Sequence, residues 1–465
     1  MRNFRFSSLL PCSAEFAYAW HTREGAFERL APPWVNLEVE RRQGTIHEGE
    51  VVLRLPVGPF PVRWHAQHYD GKPGEEFRDR MVRGPFVHWE HVHRFVALDS
   101  DHCRAEDHLT YQLLRWPEAL DRALDAAFVR RELQRMFAYR HRVLGHDLHW
   151  HATLSAEPMT FLVTGATGLI GSTLCPFLSA GGHKVLRATR TTTLSTSAPG
   201  WNPRTGEVRI PSNERVDAIV HLAGANVGES RWTPERKAEI RSSRVEATAR
   251  LAEHVAGWKT RPRVFVAASA IGFYGDRGAQ WLDEDSPPGR GFLPSVCQEW
   301  EAAVRPLEDA GVRVVRLRIG VVLTPKGGAL KRLLWPFWLG LGGRTGDGRQ
   351  FMSWIAPDDL AAAILFCVKN ERLHGPVNAV SPNPVTNTSF TRALARALRR
   401  PAVLPLPAAA VRLLFGEMGE ELVLSSTRVR PARLLESGFQ FRYPTVDAAL
   451  AHVLGASRRG PNSFP

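Results

Sequence analysis

The sequence predicts an α/β protein with a doubly wound parallel sheet, preceded by a separate α+β domain. A glycine-rich turn, Gly165-x-x-Gly168-x-x-Gly171, follows a short apolar run and precedes a helical apolar pattern. Beyond this turn, apolar strands alternate with helical segments, which is typical of a parallel sheet. The first 150 residues instead show period-two segments divided by Gly, Pro and Asp turns, which indicates antiparallel strands.

Length and composition set the first limits. At 465 residues and 51.9 kDa the chain is too long for one ordinary core, so two or three domains are expected. The formal charge is +13 and the pI is near 10.0, yet arginine is spread through every segment, so nucleic-acid binding is not expected. No apolar run could span a bilayer, and the N-terminus lacks the apolar stretch of a signal peptide. These two features predict a cytoplasmic protein without a membrane span.

Neither cysteine nor histidine predicts a metal site. The five cysteines are scattered and never spaced as in a zinc knuckle, which indicates reduced thiols in the core. His91 and His93 lie two apart on a predicted strand and share a face with Trp89 and Phe95, which would suit a metal if a third ligand were present. Spacing supplies none, so both histidines are expected to pack beside the aromatic rings.

The N-terminal domain begins with a short strand and two short helices. Arg5–Leu10 is the predicted strand, and Ser13 is a good N-cap for a helix with Phe16 and Trp20 on one face. A second helical piece, Gly25–Leu30, follows. Six strands and a long closing helix are predicted after it: Val35–Arg41, Glu50–Leu55, Val62–Tyr69, Glu76–Val82, Val87–Ala97, His102–Gln112 and the helix Ala119–Leu144.

This order of elements, with the stretch Gly84–Phe95, resembles the START-like polyketide cyclase and lipid-transport superfamily, which has the helix-grip fold. The resemblance implies an apolar cavity between a curved sheet and the long helix. A hydrophobic ligand is therefore expected in residues 1–150, and the alternative is a structural or dimerising domain with a filled interior.

The glycine-rich turn has the form of a pyrophosphate site. Gly165 suits a sharp turn, Gly168 lets the main chain approach a phosphate, and Gly171 lets the helix pack closely on the strand. The order of strand, tight turn and helix N-terminus predicts a bound dinucleotide.

The second strand, Lys184–Arg190, indicates which dinucleotide is bound. It ends in Arg190, where an acidic residue would bind the ribose 2′-hydroxyl of NAD, so NADP is predicted and NAD is less favoured. Arg187 is the weaker candidate because its side chain is expected to point away.

Further strands continue the doubly wound pattern. Val216–Gly224 is a buried strand that ends in small residues at the carboxyl edge of the sheet, where ligands of open α/β sheets lie. A helix runs from about Pro234 to beyond Leu251. Arg263–Ser269 and Val312–Arg318 are the next strands.

Four stretches resemble the extended short-chain dehydrogenase/reductases, the sugar-nucleotide epimerase/dehydratase group: Gly165–Gly171, His221–Gly224, Ser269–Gly275 and Arg318–Leu323. Five others resemble, more narrowly, the NAD(P)-dependent "epimerase family" proteins of bacteria and mitochondria: Arg231–Thr233, Ser243–Arg244, Val296–Glu301, Leu339–Ile355 and Gly416–Ser425. The resemblance covers residues 159–455 and implies a Rossmann-type sheet. It also implies the cofactor contacts Gly165, Thr167, Gly168, Leu169, Ile170, Gly171, Thr189, Arg190, Leu222, Ala223, Gly224, Gly320 and Val321.

The redox site that the resemblance implies is a serine with a Tyr-x-x-x-Lys pair, in which lysine lowers the tyrosine pKa for proton transfer. Ser269 stands where the serine belongs, but none of the six tyrosines is followed four residues later by lysine. Phe292 is near the place of the tyrosine, and Val296 or Cys297 is near that of the lysine. Tyr274 is the remaining candidate acid, with the lining of the site as its other role.

A glycine-rich loop, Gly342–Leu360, precedes a helix and, by the same resemblance, helps to close the substrate pocket. Arg344 and Arg349 are predicted to hold an anionic group of the substrate. Asp358 or Asp359 is expected to cap the helix that follows.

These features predict an NADP(H)-binding oxidoreductase or epimerase that acts on a small, hydrophobic molecule. The missing tyrosine and lysine keep an alternative open, a non-catalytic NADPH sensor or a carrier of a hydrophobic ligand. The substrate and the oligomeric state stay open. The predicted divisions are a START-like domain 1–150, a linker 151–158, a dinucleotide-binding domain 159–400, a small helical cap 401–455 and a tail 456–465.

Overall fold

A computed structural model describes residues 1–35, 37–57, 60–154, 157–190 and 198–456. The chain forms two compact units, one chiefly of residues 1–156 and the other chiefly of residues 157–454. The predicted tail from residue 457 onward, the centre of the predicted linker and the threonines after Arg190 lie outside the described residues.

The N-terminal unit is a seven-stranded antiparallel sheet with a long helix packed on it, in the strand order β1-β7-β6-β5-β4-β3-β2. This is the helix-grip fold, as predicted. Its elements are β1 (Arg2–Leu10), α1 (Ala14–Thr22), α2 (Ala26–Leu30), β2 (Glu38–Gly44), β3 (Gly49–Val57), β4 (Phe60–Lys72), β5 (Glu76–Arg83), β6 (His88–Ala97), β7 (Cys103–Gln112), α3 (Glu118–Leu124), a π-helical turn (Asp125–Val129) and α4 (Arg130–Thr153).

Local sequence accounts for most of these elements. Ser13 caps α1 by accepting a hydrogen bond from the N–H of Phe16 at 3.2 Å. Alternate residues of β7 are buried, as a sheet with one covered face requires. The closing helix was predicted to end at Leu144 but continues to Thr153, because Leu148 and Trp150 prolong its buried face.

The C-terminal unit alternates strands and helices. Its elements are β8 (Thr160–Thr164), α5 (Gly171–Ala180), β9 (Lys184–Arg190), β10 (Gly200–Trp201), β11 (Val208–Arg209), β12 (Ala218–His221), α6 (Pro234–Ser242), α7 (Val245–Ala256), β13 (Val264–Ala270), a 3₁₀ turn (Ile271–Tyr274), β14 (Trp281–Leu282), α8 (Phe292–Ala302), α9 (Arg305–Asp309), β15 (Arg313–Ile319), β16 (Val321–Val322), α10 (Gly328–Trp338), β17 (Phe351–Met352), β18 (Trp354–Ile355), α11 (Pro357–Lys369), β19 (Gly375–Ala379), β20 (Val385–Thr386), α12 (Asn387–Leu398), α13 (Ala408–Phe415), α14 (Glu417–Gly419), a π-helical turn (Glu420–Leu424), β21 (Arg428–Val429), α15 (Ala432–Glu436) and α16 (Val446–Val453).

The main sheet of this unit has eight strands in the order β11-β10-β9-β8-β12-β13-β15-β19. All neighbours are parallel except β10 and β11. The chain runs outward from β8 to one side and then returns to continue from β12 on the other. Ligands of doubly wound sheets bind at this switch point, outside the carboxyl ends of the strands. The Rossmann-type prediction is therefore confirmed.

Burial explains why these strands are continuous apolar runs. Leu162, Ile219 and Phe265 are all fully buried in neighbouring strands, and they form one cluster with Leu251 of α7. All five cysteines are buried, and none of them forms a disulfide, as predicted. Among the described residues, no helix is both long enough and apolar enough to cross a bilayer.

Two helix predictions need correction. The single helix expected from Pro234 to beyond Leu251 is broken into α6 and α7, and the Arg244 guanidinium at the break donates a 2.8 Å hydrogen bond to the carbonyl of Ala225. Neither Asp358 nor Asp359 caps α11, whose N-cap is Ala356. Both carboxylates are buried and hold the C-terminal segment: Asp358 bonds to His452, and Asp359 accepts from the N–H groups of Arg442 and Tyr443.

Candidate dinucleotide and active site

The glycine-rich turn after β8 has the geometry of a phosphate-binding loop. Gly165 has a φ of +68°, and a Cβ there would lie 2.9 Å from the carbonyl carbon of Leu222. A Cβ on Gly171 would lie 2.4 Å from the carbonyl oxygen of Gly165, so α5 could not pack this closely with any other residue. Gly168 is exposed, and a Cβ there would lie 3.1 Å from the carbonyl oxygen of Gly165. Gly165 and Gly171 thus have the turn and the close packing predicted for them, and their contact with a pyrophosphate stays a prediction.

The other predicted cofactor residues lie at the same edge of the sheet. Thr164 is in register with Ala188 on one side and with His221 on the other. The segments that begin at Gly165, Thr189 and Leu222 therefore leave the sheet side by side. Thr189 and Arg190 are exposed at the end of β9, Leu222–Gly224 follow β12, and Gly320–Val321 follow β15.

His221 supports this edge from within the sheet. Its ring lies between the hydroxyls of Thr164 and Thr248, at 2.7 and 2.9 Å. Burial lowers the pKa of His221 to about 4, so the imidazole is neutral at physiological pH. We assign it a structural role.

Ser269 is buried near the end of β13 and belongs to a polar network. Its hydroxyl donates a 2.7 Å hydrogen bond to Oε1 of Glu301 on α8. The Arg318 guanidinium donates to both oxygens of the same carboxylate, at 2.8 and 2.9 Å. Ser269, Arg318 and Asn378 are in register on three neighbouring strands, which explains why their side chains meet on one face.

Tyr274 closes the other end of this network and is fully buried. Its hydroxyl donates to Oδ1 of Asn378 at 2.7 Å and accepts from Arg318 at 2.9 Å. Burial raises the pKa of Tyr274 to about 12, so the phenol stays protonated. This geometry favours the second role considered for Tyr274, the support of the site, over that of an acid.

The helix expected to carry a tyrosine and a lysine is α8. Phe292 and Leu293 begin it, and their N–H groups each donate a 2.8 Å hydrogen bond to the carboxylate of Glu421. Val296 and Cys297 are buried one turn later, and burial raises the pKa of the Cys297 thiol to about 12. At the places where the resemblance implied a tyrosine and a lysine, this helix therefore has apolar side chains or a thiol, and its first N–H groups are bonded to Glu421.

Arg344 and Arg349 are exposed on the segment between α10 and β17. The carbonyl of Arg344 accepts from the N–H of Leu406 at 2.8 Å, and the N–H of Arg349 donates to Oδ1 of Asp347 at 2.9 Å. These bonds hold the main chain and leave the guanidinium groups directed outward. Their predicted contact with a substrate stays a prediction.

Three residues of the network were missed by sequence reasoning, namely Glu301, Arg318 and Asn378. Arg318 carried a usable signal, because an arginine inside an apolar strand needs a buried partner. Although burial disfavours its charge, the bonds to Glu301 raise the pKa of Arg318 well above its ordinary value. Glu301 lies in a helix and Asn378 in a strand, and the sequence pattern of neither element predicts a contact with Arg318 or Tyr274.

Comparisons with known proteins agree with this architecture. Residues 161–379 match the model of the NAD dependent epimerase/dehydratase family. Residues 10–137 match that of the polyketide cyclase/dehydrase and lipid transport family, and residues 406–453 match a domain of unknown function, DUF1731. An epimerase family protein of Mycobacterium bovis is 42% identical over 291 residues, which cover 63% of this chain and 96% of that protein. This chain belongs to the epimerase family.

Solved structures extend the likeness of this epimerase family protein to both units. A nucleoside-diphosphate sugar epimerase from Corynebacterium glutamicum is 33% identical, with a TM-score of 0.76, and the match covers 97% of this chain and 90% of that one. The human epimerase family protein SDR39U1, solved with NADPH, is 34% identical with a TM-score of 0.58, covering 64% of this chain and 99% of that one. Membership and the glycine-rich loop together assign a nicotinamide dinucleotide as cofactor.

Proposed function

We propose that this chain is an NADP(H)-binding oxidoreductase or epimerase of the extended short-chain type, acting on a small molecule yet to be identified. Hydrophobic compounds are the first class to test. The observation that carries the proposal is the group of segments around Gly165, Thr189 and Leu222, which leave one sheet edge together. The human relative solved with NADPH supports the choice of cofactor.

The preference for NADPH over NADH rests on Arg190. Its side chain is exposed at the carboxyl end of β9, where an acidic residue would otherwise bind the ribose 2′-hydroxyl. A guanidinium there pairs with the 2′-phosphate of NADPH. A hydrogen bond to a charged group is worth about 1.5–3 kcal/mol, which corresponds to roughly a ten- to hundredfold difference in affinity.

Isothermal titration calorimetry with both dinucleotides tests this preference. Arg190→Ala is expected to weaken NADPH binding by roughly ten- to hundredfold and to leave NADH binding unchanged. Arg187→Ala is the matched control, because Arg187 is an exposed arginine on the same strand. Equal affinities of the unaltered protein for NADPH and NADH would refute the preference, and so would equal losses in the two variants.

A second candidate function is a non-catalytic NADPH sensor or a ligand carrier. It is supported by the hydroxyl of Tyr274, which already donates one hydrogen bond and accepts another. It is also supported by α8, which carries Phe292 and Val296 near the places of the expected tyrosine and lysine. For the enzymatic function we propose Ser269 as the catalytic hydroxyl and Tyr274 as a positioning residue. Screening for NADPH oxidation with carbonyl, enone and sugar-nucleotide substrates separates the two functions. Turnover that disappears in Ser269→Ala, with NADPH affinity kept, supports the enzyme, whereas tight binding without turnover supports the sensor.

The hydrophobic ligand of the N-terminal domain also stays a proposal. A pocket of about 640 Å³ in this unit is lined mainly by polar residues of β2, β3, β4 and the β2–β3 turn, among them His47, Glu50, His68 and Asp70. This lining supports a polar group on the ligand, whereas an apolar body rests on the family resemblance alone. We propose a ligand that joins the two. Native mass spectrometry of the full chain should show a retained molecule of this kind; a protein purified without one that binds no apolar dye would contradict it.

A further inference from the structure

The sheet of the N-terminal unit brings two carboxylates and two imidazoles together on the face that packs against α4. Asp79 on β5 is in register with His91 on β6, and Asp107 on β7 is in register with His93. His91 and His93 project from the same face because they are two residues apart on one strand. Sequence spacing gave these histidines no third ligand, and the fold supplies it from the neighbouring strand.

The distances within this cluster are those of a metal site. Nδ1 of His91 lies 3.3 Å from Oδ2 of Asp79, and Nε2 of His93 lies 3.7 Å from the same oxygen. One donor atom from each of the three residues lies within 4.8 Å of the other two. In a tetrahedral centre with bonds of about 2.1 Å, the ligand atoms are about 3.4 Å apart. A single ion therefore fits between the three side chains with little movement.

Asp107 orients both histidines from the opposite side. Its Oδ1 lies 2.8 Å from Nε2 of His91 and 2.6 Å from Nδ1 of His93. When these two nitrogens carry the ring protons, the other nitrogen of each ring presents a lone pair toward Asp79. A carboxylate that accepts from the distal nitrogen of a ligating histidine is the usual support of such a site.

We propose that Asp79, His91 and His93 bind one divalent transition-metal ion, with Asp107 as the residue that positions the two histidines. Two imidazoles and one carboxylate are the donor set of open zinc and non-haem iron sites. Three protein ligands leave further coordination positions for water or a ligand.

The charges of the interior support a cation at this point. Asp79 and Asp107 face one permanent cation, the Arg140 guanidinium, whose buried Nε has no hydrogen-bond partner among the described residues. The second oxygen of Asp107 is bonded to Nε2 of His141 at 2.5 Å. When both imidazoles are neutral, as metal binding requires, the two carboxylates and the one guanidinium leave an excess of one negative charge, and burial makes that excess costly. A divalent ion with one bound hydroxide cancels it.

The cluster is also accessible to an ion from solution. The side chains of Asp79 and His93 are 15% and 14% exposed, whereas that of His91 is 4% exposed. His68, which lines the pocket described above, packs at 6.4 Å from the ring of Phe77, and Phe77 stacks on His93 at 4.2 Å. The ring of Phe77 therefore separates the proposed site from the pocket described above.

Metal binding is tested on the full chain with Zn²⁺ and Co²⁺. After loading and dialysis, elemental analysis should find one tightly held ion per chain, and the Co²⁺ form should show the intense visible absorption of a centre with fewer than six ligands. His93→Ala and Asp79→Asn should remove both signals. Asp107→Asn keeps the three ligands and should weaken binding by about ten- to hundredfold.

His102→Ala is the matched control, because His102 is an exposed histidine of the same domain, bonded to Asp99 at 3.0 Å. It should retain the ion and the absorption of the unaltered protein. The proposal is overturned if the unaltered protein retains no ion after loading, or if His93→Ala and His102→Ala retain equal amounts. The first outcome would show that the cluster is an ionic network only. The loading experiment on the unaltered protein gives this result by itself. The test therefore does not depend on whether any variant folds.

Discussion

Removal of the Glu301 carboxylate is expected to destabilise the C-terminal unit strongly. The Arg318 side chain is 4% exposed and donates two hydrogen bonds to this carboxylate. In Glu301→Ala the guanidinium stays buried without its counter-charge, and Ser269 loses its acceptor. Breaking a buried pair in this way costs about 3–5 kcal/mol. The variant Glu301→Leu/Arg318→Met removes both charges and should recover most of the loss.

Differential scanning calorimetry of the full chain measures this effect. Added NADPH should raise only the transition of the unit that binds it, which identifies that transition. A loss of 3–5 kcal/mol should lower its midpoint by on the order of 10 °C. Glu299→Ala is the control on the same helix, since Glu299 pairs with Arg241 at a partly exposed position, where such pairs are worth about 0.2–1 kcal/mol. Equal shifts in Glu299→Ala and Glu301→Ala would refute the reasoning.

Two further predictions concern the same transition. Burial lowers the pKa of His221 from 6.5 to about 4, so its contribution to stability is present above pH 6.5 and is lost as the pH falls toward 4, by roughly 3 kcal/mol. His221→Gln should flatten this part of the pH dependence, and an unchanged slope would contradict it. Glu421→Ala should cost about 0.5–2 kcal/mol, because two N–H groups at the start of α8 lose their acceptor. Glu417→Ala is the control, because it removes a carboxylate bonded to Lys237, and it should change the midpoint less. Equal shifts in the two variants would argue against Glu421 as the cap of α8.

The sequence predicted those elements whose pattern is local. The glycines of the dinucleotide turn and the cap at Ser13 depend on neighbours within a few residues, and the structure has both. The end of α4 at Thr153 could not be predicted from neighbouring residues. Asp147 and His146 look polar in the sequence, yet Asp147 is fully buried because Arg29, 118 residues away, donates to both of its oxygens at 2.7 Å.

The candidate site shows the same division. Ser269 and Arg190 lie near strand ends, as predicted, because a strand ending is visible in the sequence. Their roles in the site stay predictions. The partners of Ser269 were not found, because Glu301 reaches it from a helix and Arg318 from the next strand. The N-terminal cluster was missed for the same reason, since the strand pairing of Asp79 with His91 is set by the whole sheet.

If the proposed enzymatic function holds, the energies of the Ser269 network predict a slow enzyme. To present its proton to a substrate, Ser269 must leave Glu301, a bond to a charged acceptor worth about 1.5–3 kcal/mol. The absent tyrosine and lysine remove a general acid, which typically contributes about 10²–10⁴-fold in rate. Both losses are smaller than the 8–23 kcal/mol by which enzymes usually lower a barrier. The proposed enzyme is therefore expected to turn over several orders of magnitude more slowly than one with the complete pair, whereas the sensor function predicts no turnover at all.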